Sequence, residues 1–140
     1  NRGVLSDSYC LTKLGAKVRV AIPGTMLPPG IEKLGCEAYT NIDEAIKGAD
    51  VVMMLRIQRE RQGAPLIPSV REYSRFFGLT DARLKLAKKD AIVMHPGPIN
   101  RGVEVESEVA DGPYSVILPQ VTNGVAIRMA VLYLIGTRAE

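Results

Sequence analysis

Short runs of apolar and β-branched residues alternate with more polar segments along this chain. The clearest run is DVVMML at 50–55, and shorter ones are KVRVAI at 17–22, CEAYT at 36–40 and AIVM at 91–94. Apolar runs of this length, bounded by turn residues, predict β-strands. DVVMML is apolar at successive positions, which predicts a central strand buried on both faces of a parallel sheet.

Segments with helical spacing separate the predicted strands. Helices are predicted over residues 4–14, 43–49, 70–77 and 81–88, with a short one from the prolines at 28–29 to residue 33 and a final one over about 122–135. Strands and helices that alternate at these intervals predict an α/β class protein with a doubly wound, Rossmann-like parallel sheet, helices on both faces and a long C-terminal helix. The residues predicted to cap these helices are Gly15, Gly35, Asn41 or Asp43, Ser69 with Glu72 in a capping box, and Thr80.

Composition narrows the class without changing this picture. The 140 residues suit one domain, and 46% hydrophobic and 24% charged residues are typical of a soluble globular protein. The charge of +3 is spread along the chain and aromatic residues make up only 5%, so neither a basic patch nor a stacking surface for nucleic acid is indicated. The apolar run at 125–136 contains Arg128 and is shorter than the roughly twenty residues of a membrane span.

Two cysteines and one histidine predict no zinc site and no disulfide framework, and we expect a protein of the reducing cytoplasm. The first residues, NRGVLSDSYC, contain no initiator Met and no signal-peptide pattern, so we expect the chain to begin within a longer protein. No GxGxxG follows any predicted strand, which disfavours a dinucleotide-binding domain.

Unusual chemistry follows the predicted strand AIVM, where ligands of doubly wound sheets bind. The segment MHPGPINRG carries Pro96, Gly97 and Pro98 directly after the only histidine, His95. The prolines fix the backbone, and Gly97 permits the close approach of a ligand, so a stiff loop that presents carbonyl oxygens is predicted. Such carbonyls accept hydrogen bonds from an amino or carbamoyl group. The alternative is a strand-ending turn in which His95 satisfies local backbone groups.

A basic segment, RIQRER, follows the strand DVVMML. Arg56 and Gln58 alternate onto one side and together suit a carboxylate, the first through its guanidinium and the second through its amide. The alternative is a solvated surface loop, and the position beyond the clearest strand favours the binding interpretation.

Four segments carry a resemblance to a known family. MMLRIQRERQG, PSVREYSRFFGLT, MHPGPINRGVEV and VILPQVTNGVAIRMAVLYL resemble, in order, segments of the second, aspartate-binding domain of the aspartate carbamoyltransferase family. The sister ornithine enzymes typically carry HCLP in the corresponding loop, and Pro96 stands in place of that cysteine. The resemblance implies an aspartate-binding domain over residues 1–140, truncated at its N-terminus, with the N-terminal carbamoyl-phosphate domain absent.

The resemblance also implies a function in pyrimidine biosynthesis. The family transfers a carbamoyl group from carbamoyl phosphate to L-aspartate, without a metal or organic cofactor, and forms homotrimers. By similarity, Arg2, Arg56 and Gln58 would bind aspartate, and Pro96, Gly97 and Pro98 would bind the carbamoyl group through their carbonyls. The resemblance places the catalytic residues in the missing domain, so we expect this chain alone to be inactive and His95 not to be the family's catalytic histidine.

Two further hypotheses remain. A non-catalytic amino-acid-binding or structural module would keep the same fold without the chemistry. A carbamoyltransferase for another amino acid is disfavoured by Arg56, Gln58 and Pro96.

Overall fold

The computed structural model describes residues 2–57 and 69–137, and for Arg2 it describes the backbone. Within these residues the chain alternates between helices and short strands, with two 3₁₀ turns, Gly24–Met26 and Ile31–Leu34. The elements, in order, are α1 (Arg2–Lys13), β1 (Arg19–Ala21), β2 (Glu37–Tyr39), α2 (Ile42–Ile46), β3 (Val51–Met53), α3 (Val70–Phe77), α4 (Asp81–Leu84), β4 (Ile92–Met94), α5 (Ser107–Ala110) and α6 (Ile117–Gly136).

The strands are parallel, which confirms the predicted α/β class. They form two pairs in the described residues, β1 with β2 and β3 with β4. A cavity of about 1110 Å³ lies between the pairs and is lined by residues of α1, β1 and β3. Val51 of β3 lines this cavity and is 47% exposed, whereas Val52 and Met54 are buried. In the described residues β3 is therefore less enclosed than a strand with a neighbour on each side.

Side-chain caps begin three of the helices where the sequence predicts them. The Asn41 side chain accepts a hydrogen bond from the Asp43 amide, Ser69 from the Glu72 amide, and Thr80 from the Arg83 amide. These bonds satisfy amide donors that the first turn of a helix leaves without an intrahelical partner. The starts of α2, α3 and α4 therefore follow from local sequence.

The last helix starts earlier than predicted. The sequence predicts a start near Thr122, but α6 begins at Ile117. Pro119 lies in the first turn, where the missing N–H would have had no intrahelical acceptor, so it is tolerated. The helix predicted over 81–88 is shorter than expected, because α4 ends at Leu84.

The main core lies against β3 and β4. Leu79, Val93 and Val105 are almost completely buried there. Gly78 is required at the end of α3, because a Cβ atom would come within 2.5 Å of the Ser74 carbonyl oxygen and 2.9 Å of the Val103 carbonyl oxygen. The close approach brings α3 against the segment that follows β4, and this segment holds the candidate site.

Most of α6 lies outside the core. Ile117 is buried, but Leu118 is 79% exposed and Leu132 is 72% exposed. The helix has 20 residues and a mean hydropathy of 1.3, so by length and composition alone it could cross a membrane. Exposed apolar surface of this extent favours burial against another protein surface or a membrane.

Candidate functional site

The candidate site lies where β3 and β4 end. The two strands pair in parallel, with Met53 beside Met94, and the Met54 amide donates to the Met94 carbonyl at 2.9 Å. The segments that carry Arg56 and Gly97 therefore leave the sheet at the same edge. This is the edge at which ligands bind in parallel α/β sheets.

The loop after β4 has a defined shape. Gly97 has a φ of 71°, in the left-handed region that residues with a Cβ atom rarely adopt, and Pro98 follows a cis peptide bond. Pro96 and Pro98 are exposed and Gly97 is half-buried. The carbonyl oxygens of residues 96–98 accept no hydrogen bond from any residue that the structure describes. The loop therefore has a defined shape with these acceptors left available, and the binding of a ligand there stays a prediction.

His95 lies beneath this loop and is completely buried. Its amide donates to Oε1 of Gln120 at 2.9 Å, and its Nδ1 accepts from the Gly97 amide at 2.8 Å. The alternative interpretation, in which His95 satisfies local backbone groups, is thus correct for this side chain. It satisfies the Gly97 amide of the candidate loop itself.

Glu104 is the second charged group of this buried cluster, with an exposed fraction of 0%. Its Oε1 accepts from the Asn100 amide at 2.6 Å and lies 3.4 Å from Nε2 of His95. Burial alone would raise the pKa of Glu104, but the hydrogen bonds from His95 and from Asn100 outweigh it and lower the pKa below its usual 4.5. Glu104 is therefore a buried carboxylate whose Oε1 is held by the Asn100 amide, while its Oε2 has no hydrogen-bond partner among the described residues.

The negative charge of Glu104 also affects the pKa of Tyr73 in α3. Burial, and then the negative charge of Glu104, raise the pKa of the Tyr73 hydroxyl to about 12. Its ring stacks on Phe77 with the centroids 5.5 Å apart. A neutral aromatic wall thus borders the cluster on the α3 side.

Arg56 is half-buried just beyond β3, and it also lines the cavity between the strand pairs. Pro96, Gly97 and Pro98 do not line that cavity, whose lining includes many apolar residues of the strands. The cavity volume therefore does not mark the candidate ligand site. The candidate site is the shared edge itself, with a guanidinium on one segment and carbonyls on the other.

Two predicted residues cannot be placed at this edge. Gln58 lies outside the described residues, and so does the side chain of Arg2, whose backbone begins α1. Their proposed contacts with aspartate remain predictions.

Glu104 and Gln120 support the loop, and the sequence interpretation missed both. Glu104 stands between Val103 and Val105, nine residues after the only histidine, but Glu106 and Glu108 follow at the same spacing, so the signal that it gave was weak. Gln120 gave none, because it lies 25 residues from His95 and just inside a helix.

Comparison with known proteins finds a match over nearly the whole chain. Residues 1–135 match the family model described as aspartate/ornithine carbamoyltransferase, Asp/Orn binding domain. The aspartate carbamoyltransferase catalytic subunit of Syntrophotalea carbinolica is 67% identical over 136 residues, which are 97% of this chain and 44% of that protein. This chain thus spans less than half the length of the curated relatives that it matches.

Solved structures share the fold. The ornithine carbamoyltransferase of Pyrococcus furiosus superposes with a TM-score of 0.81 at 32% identity, covering 91% of this chain and 44% of that one. An aspartate transcarbamoylase from Trypanosoma cruzi, solved with carbamoyl aspartate and phosphate, gives a TM-score of 0.67 at 27% identity, covering 83% and 39%.

Proposed function

The chain belongs to the aspartate/ornithine carbamoyltransferase family, and we propose that it is the aspartate-binding part of an aspartate carbamoyltransferase. The proposed reaction transfers the carbamoyl group of carbamoyl phosphate to the α-amino group of L-aspartate. The nitrogen–carbon bond forms, the carbon–oxygen bond to phosphate breaks, and the amine loses a proton. The products are N-carbamoyl-L-aspartate and phosphate.

The observation that carries this proposal is the rigid loop whose carbonyl oxygens at residues 96–98 have no donor among the described residues, at the same sheet edge as the segment that carries Arg56. The carbonyls of residues 96–98 would accept hydrogen bonds from the carbamoyl NH₂ group, which has donors to offer. Arg56 would bind a carboxylate of aspartate. Because the loop shape is already fixed, the carbamoyl carbon would be held in line with the amine without further ordering.

Aspartate is favoured over ornithine as the amino acid. Ornithine carries a cationic side chain, which would be repelled by a guanidinium at that position, whereas the second carboxylate of aspartate would be attracted. The curated relatives at 57–67% identity are named aspartate carbamoyltransferases, and this supports the same choice. Gln58 and Arg2 are proposed as further hydrogen-bond donors to the carboxylates of aspartate.

We also propose the setting in which this part works. A carbamoyl-phosphate domain encoded upstream would supply the phosphate site and the catalytic groups. The complete protein would be a cytoplasmic homotrimer of pyrimidine biosynthesis without a metal or organic cofactor. The exposed face of α6 supports a partner domain, since the helix is apolar and lies largely outside the core.

A chimera tests the proposal. This chain would replace the matching 136 residues of the S. carbinolica catalytic subunit, to which it is 67% identical. We expect N-carbamoyl-aspartate formation from carbamoyl phosphate and aspartate by the chimera, no product from this chain alone, and no product when ornithine replaces aspartate. A folded chimera that is inactive, beside an active parent enzyme, would favour a non-catalytic amino-acid-binding module.

Arg56→Ala in the same chimera tests the carboxylate site. We expect a higher KM for aspartate and a lower kcat, because a carboxylate contact orients the amine as well as binding it. Arg71→Ala, on the exposed side of α3, is the matched loss of a guanidinium and should change neither. An unchanged aspartate dependence in Arg56→Ala would remove this residue from the site.

A further inference from the structure

The cluster beneath the loop combines two groups that are costly to bury. His95 and Glu104 both have an exposed fraction of 0%, and Glu104 is ionised in the folded chain. A buried carboxylate costs several kcal/mol unless donors compensate it. An apolar pair would fill the same space at less cost, so the arrangement calls for a role beyond filling the core.

The hydrogen bond from Gly97 distinguishes the two ring nitrogens of His95. Because the Gly97 amide donates to Nδ1, this nitrogen carries no proton, and the ring proton is on Nε2. Nε2 lies 3.4 Å from Oε1 of Glu104 and has no hydrogen-bond partner among the described residues. The ring therefore presents a donor on the Glu104 side and an acceptor on the loop side.

Both ends of the cluster are anchored in the fold. The His95 amide is bound to Gln120 in the first turn of α6 at 2.9 Å. The Glu104 carbonyl accepts from the Leu79 amide at 2.9 Å, next to the end of α3. Gly97 has no such anchor to a helix, because its amide donates to His95 and to no other described residue.

On the premise of the proposed function, we propose that His95 is a positioning residue for the carbamoyl-binding loop. Its Nδ1 atom accepts the hydrogen bond of the Gly97 amide and thereby sets the direction of the loop carbonyls. Without the Nδ1 acceptor, the Gly97 amide would lose its partner and the left-handed turn at φ 71° would lose its restraint. His95 would act through the loop and would not touch substrate.

Two substitutions at His95 separate this role from core filling. In His95→Asn the Oδ1 atom stands close to where Nδ1 was, so the Gly97 bond is kept and the contact to Glu104 is lost. In His95→Gln the longer amide reaches toward Glu104 but leaves the Gly97 amide without an acceptor. The smaller Asn leaves more empty space, so it should destabilise the fold more than Gln does.

The full-length chimera described above is the protein for the test. We expect His95→Gln to lower kcat about 100-fold, as misplacement of a bound group does, and to raise the KM for carbamoyl phosphate but not that for aspartate. His95→Asn should stay within about tenfold of the parent despite its lower stability, since one lost contact is worth about 1 kcal/mol. Arg101→Gln, which breaks the exposed pair with Asp111 in the same segment, should leave kcat unchanged.

Activity that follows thermal stability, with Asn below Gln, would overturn the positioning role. A second readout is independent of activity: ¹⁵N NMR of histidine-labelled protein, with the His95 signals assigned by their loss in His95→Asn. Protonated Nε2 and unprotonated Nδ1 are expected, and a proton on Nδ1 would refute the proposal. If the parent chimera forms no carbamoyl-aspartate, the proposed function fails, while this spectrum still decides the hydrogen-bond arrangement.

Discussion

The loop of residues 95–98 and the helix α6 are neighbours that differ in how much of each is buried or hydrogen-bonded within this chain. His95 under the loop is fully buried, and the Gly97 amide has its acceptor within the chain. Along α6 only Ile117 is buried, and Leu118 and Leu132 are more than 70% exposed. The loop is therefore held by contacts within this chain, whereas the helix exposes apolar surface that an interface would cover.

The two regions are joined at one point. Gln120, in the first turn of α6, accepts a hydrogen bond from the His95 amide. The start of the helix thus belongs to the loop's support, and the rest of it extends away from the core. From this difference we expect substitutions beneath the loop to affect folding strongly and substitutions along α6 to affect association.

Glu104→Ala should have the largest effect on this chain. It removes a buried carboxylate that accepts from the Asn100 amide and lies 3.4 Å from His95 Nε2. Loss of one member of a buried pair typically costs about 3 to 5 kcal/mol of unfolding free energy. Urea denaturation followed by circular dichroism would measure it, with the exposed Glu108→Ala as a control expected within about 0.5 kcal/mol of the parent.

Equal stability of Glu104→Ala and Glu108→Ala would contradict the comparison. It would mean that the buried cluster beneath the loop is not part of the cooperative core and contributes no more to folding than the exposed face of α6 does.

Gly97→Ala should have the next largest effect. A Cβ atom at φ 71° strains the backbone by about 1 to 2 kcal/mol, whatever space is available. Space itself is not limiting, since the nearest side-chain atom, Cγ2 of Val121, lies 4.0 Å away. We therefore expect a lower thermal midpoint, and Gly102→Ala, at φ 74° in the neighbouring turn, gives the matched measure of backbone strain outside the loop. A Gly97→Ala chain as stable as the parent would show that the loop relaxes away from this turn.

Features set by adjacent residues were predictable from the sequence, and those set by distant contacts were not. Ser69 and Thr80 cap helices because their oxygens reach amides three residues on, which is a local property. Pro96 and Gly97 likewise predict a stiff loop by themselves. Glu104 and Gln120 reach the loop only through the fold, so their support of the loop could not be predicted even though both lie in segments that carry the family resemblance.

Acidification should weaken the loop support by a smaller amount, because it removes the charge of Glu104 and leaves its side chain in place. The pKa of Glu104 is lowered in the folded chain, so the folded state binds fewer protons than the unfolded state. Its contribution is complete above the unfolded value near 4.5 and is lost as the pH falls through the lower folded value.

The measurement is the unfolding free energy of the parent and of Glu104→Gln between neutral pH and the acid range below 4.5. The exposed acids Asp50 and Asp111, which also have lowered pKa values, are present in both proteins and cancel in the difference. The gap between parent and variant should narrow on acidification. A constant gap would mean that Glu104 contributes no charge-dependent stability.

Leu132→Lys on α6 should have the smallest effect on folding and a clear effect on association. Leu132 is 72% exposed, so its replacement should change the unfolding free energy of this chain by only about 0.5 kcal/mol. Sedimentation velocity should show less self-association, because the apolar face is interrupted by a charge. In the full-length chimera, where we propose that this face is covered, the same charge would be buried without a partner and should lower the thermal midpoint substantially. A substitution that is harmless in both proteins would show that α6 stays exposed in the complete enzyme. The contrast between the buried support of the loop and the exposed face of the helix would then be a property of the whole protein.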